Sequence, residues 1–182
     1  TITEDRQAQI DFTIPVSKPL KEILVTGPSA PPISSLADLA GKTVYLRLSS
    51  SYAESVKLLS DALVAEGKSG IRIEAIDEAL EDEDLIEMVD AGLLPWAVVD
   101  SYKPQMWREV FTRTTVRDDL VLREGGRLAW AMRPDSPKLA GFLNRFLKDN
   151  REGTLFGNII RNRYKLITHR LHQFGMECMG DI

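Results

Sequence analysis

Three consecutive serines, Ser49 to Ser51, are the residues whose types and spacing first suggest chemistry. A strand pattern precedes them and an amphipathic helix pattern follows, carried by Val44, Leu46 and Leu48 and then by Val56, Leu59 and Leu63. A helix start at a strand end presents backbone N–H groups and the positive end of a dipole, and hydroxyls add donors. The spacing therefore predicts an anion site. The local pattern favours a simpler role, compatible with the first, in which Ser51 caps the helix and Glu54 completes a capping box.

Asp100 is the second residue of interest, because it ends the apolar strand pattern that begins at Trp96. From Ile23 to Leu122, strand and helix patterns alternate, which is typical of an α/β sheet with mainly parallel strands and helices on both faces. Ligands of such sheets bind beyond the carboxyl ends of the strands. The serine turn and Asp100 both follow strands, so we expect them at one edge. The alternative for Asp100 is that it caps the helix predicted at 101–107.

The composition excludes several classes of protein. The chain has 182 residues, 43% of them hydrophobic and 27% charged, with a net charge of −4. This indicates one large or two small globular domains without a nucleic-acid or anionic-membrane surface. No apolar run approaches the roughly 18 residues of a membrane span. The single Cys178 forms no internal disulfide, and the start at Thr1 leads us to expect a fragment or a processed product.

No set of residues resembles a catalytic centre. The acidic run Glu81–Asp84 lacks the spacing of a calcium loop, so a solvated helix start is the preferred interpretation over a metal site. His169 and His172 lie in the last part of the chain, outside the region with clear strand and helix patterns, so a Ser/His/Asp triad is not supported. No carboxylate stands in an apolar setting that would raise its pKa. We therefore expect no enzyme activity, cofactor or metal in this chain.

A second unit is predicted after Gly125-Gly126. Its clearest element is a helix that begins with Ser136 as cap and Pro137 in the first turn, and its apolar face comprises Leu139, Phe142, Leu143, Phe146 and Leu147. Few strand patterns accompany this helix, so we expect exposed apolar surface, association or loose packing there. The predicted divisions are a first-lobe segment at 1–22, a second lobe at 23–124, a first-lobe return at 125–165 and a poorly ordered tail at 166–182.

Three segments together carry a family resemblance: Thr1–Arg6 with Ile10–Phe12, Gly41–Val44 through Ser49–Tyr52, and Gly153–Asn158. Over residues 1 to 165 the chain resembles solute-binding proteins of the type 2 periplasmic fold, in the polar amino-acid branch. It is most similar to the binding modules of membrane-bound lytic transglycosylases, through Tyr45–Arg47, Ser50–Tyr52, Leu80–Leu85, Gly92–Pro95 and Val98–Asp100. The resemblance implies two lobes that close on a ligand, with the start of the first lobe lying before residue 1.

The resemblance also implies which residues bind the ligand. Arg6, with Thr1 in the same segment, would grip a carboxylate by bidentate pairing. The turn Ser49–Tyr52 would donate to the same carboxylate, although Ser49 stands where the family has glycine. Asp100 would hold the α-ammonium. Arg47, on the strand face of Tyr45, is expected to select acidic or polar ligands, with a solvated strand arginine as the alternative.

The implied function is an extracytoplasmic solute-binding or sensor module for amino acids or cell-wall peptides. It would be the regulatory part of a lytic transglycosylase, periplasmic or associated with the outer membrane. Its partners would be a small-molecule ligand and a C-terminal transglycosylase domain or a membrane permease, with no nucleic acid. The alternatives are a substrate-binding subunit of an amino-acid ABC transporter, part of a transglycosylase enzyme whose catalytic domain is outside this chain, a small α/β enzyme, or a purely structural module.

Overall fold

The computed structural model describes residues 1–151, 153–160, 162 and 163. In this part of the chain the strands are β1 (Asp11–Phe12), β2 (Leu20–Thr26), β3 (Thr43–Leu46), β4 (Arg72–Ala75), β5 (Trp96–Asp100), β6 (Thr115–Gly126) and β7 (Ala131–Met132). The α-helices are α1 (Glu4–Gln7), α2 (Ser51–Ala65), α3 (Asp82–Asp90), α4 (Tyr102–Trp107) and α5 (Pro137–Asn150). A short 3-10 helix spans Leu36–Leu39, and residues 155–160 are also helical. The predicted tail, with its two histidines and Cys178, lies outside the described residues.

The chain divides into two compact units. The first combines Thr1–Leu20 with the chain from Gly125 onward, and the second is Lys21–Glu124. The two boundaries fall inside β2 and β6, and Gly125 at the second boundary has a positive φ of 77°. Each unit is described separately below.

The second unit contains two hydrogen-bonded sheets, one in the order β5-β2-β6 and one formed by β3 and β4. The β3–β4 pair is parallel, with Thr43 opposite Arg72. The indole N–H of Trp96 on β5 donates to the carbonyl of Thr43 at 3.0 Å, so β5 lies beside β3. The β2–β5 pair is antiparallel, which the alternation of elements did not indicate. Alternating strands and helices indicate parallel pairing only for strands that are neighbours in the sheet and are joined by one helix. β2 instead pairs with a strand far along the chain, so the alternation does not indicate its direction.

Two hydrophobic cores form in the second unit because β2 and β5 are buried on both faces. Leu24 of β2 and Val98 of β5 belong to one core, where α2 contributes Val56 and Leu63. Val25 belongs to the other, with α3 contributing Leu85, Ile86 and Val89. Alternate residues of a strand point to opposite faces, so residues of even number on β2 and β5 face α2. The unit thus has a helix layer on each side of the sheet, as predicted.

The first turn of α2 differs from the sequence prediction by one residue. The helix begins at Ser51 and its N-cap is Ser50, so the expected capping box of Ser51 with Glu54 does not form. The hydroxyl of Ser50 donates to the carbonyl of Arg47 at 2.7 Å instead of capping the helix. The hydroxyl of Ser51 is therefore directed elsewhere, towards a buried carboxylate described below.

The first unit has little sheet. β1 and β7 form a two-residue antiparallel pair, and Thr3 caps α1 by accepting the N–H of Arg6. Helix α5 begins at Pro137 with Ser136 as N-cap, which confirms the predicted start. Its Phe142 is 68% exposed, and only Leu147 is buried in this helix. The exposed apolar surface expected on α5 is thus present. No helix among the described residues is long and apolar enough to cross a membrane.

Candidate functional site

One edge of the second unit gathers the polar residues that the sequence singled out. β3 and β5 end there, and β2, being antiparallel to β5, brings its Glu22 to the same edge. We call this region the polar edge and define it by Glu22, Arg47, Ser49–Tyr52, Asp82, Asp100 and Lys103. Glu22 and Asp100 lie on strands, Arg47, Ser49 and Ser50 lie in the turn between β3 and α2, and the others lie in the first turns of α2, α3 and α4. The expectation that the serine turn and Asp100 share an edge agrees with this placement.

Asp100 is a nearly buried residue whose unbonded carboxylate oxygens still reach solvent. The residue is 4% exposed, and its backbone N–H donates to the hydroxyl of Tyr52 at 3.1 Å. Among the residues that the structure describes, none donates a hydrogen bond to its carboxylate. Burial, reinforced by the negative charges of Glu22 and Asp82, raises the pKa of Asp100 to about 6. The sequence-based view that no carboxylate has an apolar setting is therefore wrong for this residue.

The alternative role of Asp100 as a helix cap is also wrong. The N-cap of α4 is Ser101, and no side chain caps this helix start. Because Ser101 itself has helical backbone angles, φ −55° and ψ −26°, the helix begins directly after the strand. The carboxylate of Asp100 is thus left to interact with something other than the first turn of α4.

Glu22 lies directly opposite Asp100 in the β2–β5 ladder. It is 1% exposed, and its carboxylate accepts hydrogen bonds from Ser51 Oγ at 2.9 Å and from Ser55 Oγ. The sequence analysis did not select Glu22. In the sequence, Glu22 is a carboxylate immediately before the apolar run Ile23–Val25. This pattern does not show which residue of the neighbouring strand lies opposite it.

Asp82 is the centre of an ion-pair cluster. Its carboxylate lies 2.6 Å from Arg47 Nη2 and 3.1 Å from Lys103 Nζ. Tyr52 donates its hydroxyl to the same carboxylate at 2.8 Å, and burial raises the pKa of Tyr52 far above its ordinary value, so the hydroxyl keeps its proton. Asp82 is buried, so the interpretation of this run as a solvated helix start is wrong for this residue. Arg47 is correspondingly paired rather than solvated.

The hydroxyl groups of the serine turn all have partners within the second unit. Ser49 donates its N–H and its hydroxyl to Glu78, and these hydrogen bonds lower the pKa of Glu78. Ser50 bonds a carbonyl and Ser51 bonds Glu22, as described above. A ligand at this turn would therefore meet the backbone N–H groups of Ser51 and Tyr52. The N–H groups of Ser49, Ser50 and Ala53 already donate to Glu78, Arg47 and Ser50.

Thr1 and Arg6 lie in the first unit. Arg6 Nη1 donates to the carbonyl of Thr1 at 2.8 Å, so the two predicted residues contact each other. The guanidinium is held near the start of α1 by this bond. Their participation in a ligand site stays a prediction, as does that of each residue of the serine turn.

Within the described ranges, no group of three or more His, Cys, Asp or Glu residues is arranged to hold a metal ion. The acids of α3 are instead occupied by cations: Glu81 by Arg47 at 3.3 Å and Glu83 by Lys103 at 3.3 Å.

Solved structures define the class of protein to which this fold corresponds. The chain superposes on an ancestral arginine-binding protein bound to arginine with a TM-score of 0.71 and 20% identity, covering 90% of this chain and 68% of that one. It matches an amino-acid ABC transporter substrate-binding protein of Streptococcus pneumoniae bound to L-arginine with a TM-score of 0.68 and 18% identity, covering 90% and 65%. The chain therefore has the type 2 periplasmic solute-binding fold, as the resemblance implied.

Sequence comparison adds a more particular similarity. The chain is 28% identical over 189 residues to membrane-bound lytic murein transglycosylase F of Saccharophagus degradans, covering 94% of this chain and 35% of that protein. It is 29% identical over 132 residues to the protein of the same name in Ectopseudomonas mendocina, covering 72% and 25%. No protein-family profile matches the chain. The chain spans about a third of the length of the first of these relatives and a quarter of the length of the second.

Proposed function

We propose that the chain is an extracytoplasmic solute-binding module that recognises a small molecule bearing a protonated amine, either an amino acid or a cell-wall peptide. One observation carries the proposal. Asp100 is buried at the end of β5, and its carboxylate accepts no hydrogen bond from any described residue. A desolvated charge in this state is costly unless it is paired, and a ligand ammonium provides both a charge and donors.

The other residues of the site are given roles according to the charge and hydrogen-bonding groups that they offer a ligand. Arg6 and Thr1 of the first unit and the first turn of α2, Ser49–Tyr52, bind the carboxylate of the ligand. Arg47 is engaged with Asp82 and Glu81. Arg47 can therefore select acidic or polar ligands only if it releases Asp82 or Glu81 and pairs with the ligand in its place.

The full-length protein is proposed to be a lytic transglycosylase in which this module senses cell-wall peptides or amino acids and regulates a separate catalytic domain. The name of the sequence relatives supports this proposal. It places the module in the periplasm or at the outer membrane, next to a C-terminal transglycosylase domain. The second candidate is a substrate-binding subunit that delivers amino acids to a membrane permease. The similarity to a substrate-binding protein of an amino-acid ABC transporter favours this candidate.

Calorimetric titration tests the proposed ligand class. L-arginine, L-glutamine and a murein tripeptide are titrated against the wild type, Asp100→Asn and Arg6→Ala, each with an Nα-acetylated counterpart. Removal of one partner of a buried charge pair typically costs about 2–5 kcal/mol, so each variant should lose at least tenfold in affinity. Acetylation should weaken the wild type strongly and Asp100→Asn much less.

The control variant is Asp119→Asn, which removes a carboxylate paired with Arg117 on the surface of the same unit. It should bind as the wild type does. Failure of every amine-bearing ligand to bind the wild type contradicts the proposal. Preference for the murein tripeptide supports the transglycosylase assignment, and preference for free amino acids supports the transporter subunit.

A further inference from the structure

Glu22 and Asp100 form a pair of buried carboxylates on neighbouring strands. They are register partners in the antiparallel β2–β5 ladder and are 1% and 4% exposed. Directly opposite residues in such a ladder have Cβ atoms about 4.5–5.5 Å apart and project to the same face. Both therefore lie on the face covered by α2, from which Ser51 and Ser55 reach Glu22. Like charges opposite each other repel, so this arrangement needs a compensating group.

The cations of the polar edge form their ion pairs with other carboxylates, and the charge of Lys103 only partly offsets that of Asp100. Arg47 pairs with Asp82 and Glu81, and Lys103 pairs with Asp82 and Glu83, all at the start of α3. In the part of the chain that the structure describes, no Lys, Arg or His forms an ion pair with Glu22 or Asp100. The acidic first turn of α3 thus holds both cations near Glu22 and Asp100 without an ion pair to either carboxylate.

The two carboxylates are unequal in a way that assigns their roles. Glu22 has a hydroxyl donor on each oxygen, from Ser51 and Ser55, and is therefore fixed in place. Asp100 has no donor from a described residue and is the open member of the pair. Among the described residues, no group of three or more His, Cys, Asp or Glu residues is arranged to hold a metal ion. An ammonium group needs only hydrogen-bond acceptors, and carboxylate oxygens are acceptors.

We infer that Glu22 is a specificity-determining residue of the ligand site, a positioning residue whose fixed negative charge beside Asp100 makes the site demand a protonated amine. Asp100 contacts the amine and Glu22 acts through it. The inference rests on the proposed function, and it extends that function from a single carboxylate to a carboxylate pair. The ligand class it selects is primary ammonium compounds, with acylated amines and neutral amides rejected.

Glu22→Gln is the informative variant because it removes the charge and keeps the shape. A serine hydroxyl can donate or accept, so Ser51 and Ser55 can each bond the amide by rotation of the hydroxyl. Glu54→Gln is the matched control, since Glu54 lies on α2 but pairs with Arg123 at 3.3 Å, away from the carboxylate pair. Both variants and the wild type are titrated with L-arginine, L-glutamine and their Nα-acetyl forms between pH 5 and pH 8.

Two results are expected for Glu22→Gln. Affinity for the free amines falls at least fivefold at pH 7.5, with little change for the acetylated forms. The pH below which affinity declines also moves to a lower value, because Asp100 then loses its proton more easily. The other charged or titratable groups facing Asp100 in the second unit, Asp82 of α3, Lys103 of α4 and Tyr52 of α2, are unchanged in this comparison. If Glu22 had a purely structural role, Glu22→Gln would lower affinity at every pH without moving the pH below which affinity declines.

The carboxyl resonances of the wild type supply a second test that needs no variant. In ligand-free protein, the titration of the Asp100 carboxyl carbon should depart from that of a single site because Glu22 lies beside it, and L-arginine should shift the Asp100 step to lower pH. An Asp100 carbon that titrates as a single site and is not shifted by L-arginine overturns the inference. An unchanged affinity ratio and pH midpoint in Glu22→Gln also overturns it while leaving the proposed function intact. A wild type that binds none of the probes overturns both.

Discussion

Tyr52 and Asp82 are joined by a hydrogen bond of 2.8 Å from the tyrosine hydroxyl to the carboxylate, with both side chains buried. The same hydroxyl accepts the N–H of Asp100 at 3.1 Å. One hydroxyl of α2 therefore connects the first turn of α3 to the last residue of β5. This connection fixes the geometry of the polar edge and leads directly to a prediction about stability.

Tyr52→Phe should lower the free energy of unfolding by about 1–3 kcal/mol, because the buried N–H of Asp100 loses its acceptor. Urea denaturation followed by circular dichroism measures the change. Tyr45→Phe is the control, since no hydrogen bond of the Tyr45 hydroxyl occurs among the described residues. Equal stability of Tyr52→Phe and the wild type would show that water replaces the hydroxyl at no cost.

Asp82→Asn should destabilise the chain more than Arg47→Met. The first change leaves Arg47 and Lys103 without the carboxylate that both contact, and breaking a buried pair from one side costs about 3–5 kcal/mol. The second leaves Asp82 paired with Lys103. Urea denaturation of both single variants and the double variant gives the coupling energy. A larger loss in Arg47→Met would contradict the central position assigned to Asp82.

Arg47 also tests ligand selection. If it exchanges a partner to meet the ligand, Arg47→Ala should weaken an acidic ligand such as L-glutamate relative to L-glutamine, because a guanidinium that pairs with the side-chain carboxylate is removed. Competition titrations measure this ratio. Equal loss for the two ligands would leave Arg47 with the structural role seen in its pairing with Asp82.

Asp100 should make stability depend on pH in a defined direction. Its pKa is raised in the folded chain from the ordinary 3.8 to about 6, so the folded state binds the proton more tightly than the unfolded state. Its contribution to stability is therefore full below pH 3.8 and is lost as pH rises through about 6. Affinity for an amine should rise over the same range, since the amine requires the ionised carboxylate.

The measurement compares urea denaturation of the wild type and Asp100→Asn from pH 4 to pH 7.5. The difference between the two free energies of unfolding isolates Asp100 from other carboxylates. It should change in favour of Asp100→Asn as pH rises. A difference that is constant with pH would contradict the raised pKa.

The outer face of α5 should promote association. Leu139, Phe142 and Phe146 are 47%, 68% and 42% exposed, and Phe146 stacks on Trp130 with ring centroids 6.1 Å apart. Phe142→Ser should therefore reduce self-association and dye binding with little loss of stability. Light scattering and thermal melting measure these effects. Leu147→Ser, at a buried position of the same helix, should destabilise the chain clearly, and a similar loss in Phe142→Ser would show that this face is covered.

Local patterns in the sequence were sufficient for most of the secondary structure. The start of α5 at Ser136-Pro137 and the cap of α1 at Thr3 depend on neighbouring residues alone, and both were predictable. The alternation of strands and helices, with apolar runs buried on both faces, was sufficient for the fold class. Position at a strand end was sufficient to select Asp100, because the carboxyl ends of strands are determined by chain direction.

What only the tertiary structure decided is which polar groups meet. Glu22 faces Asp100 because β2 pairs antiparallel with β5, a strand separated from it by most of the second unit. Asp82 is buried because Arg47 and Lys103 arrive from other elements to neutralise it, although its own neighbours in sequence indicate a solvated turn. Periodicity and caps depend on interactions within a few residues, whereas the pairing of charges depends on strand register and helix packing across the unit. The sequence could therefore indicate where a site would lie, and the fold alone determined its carboxylate pair.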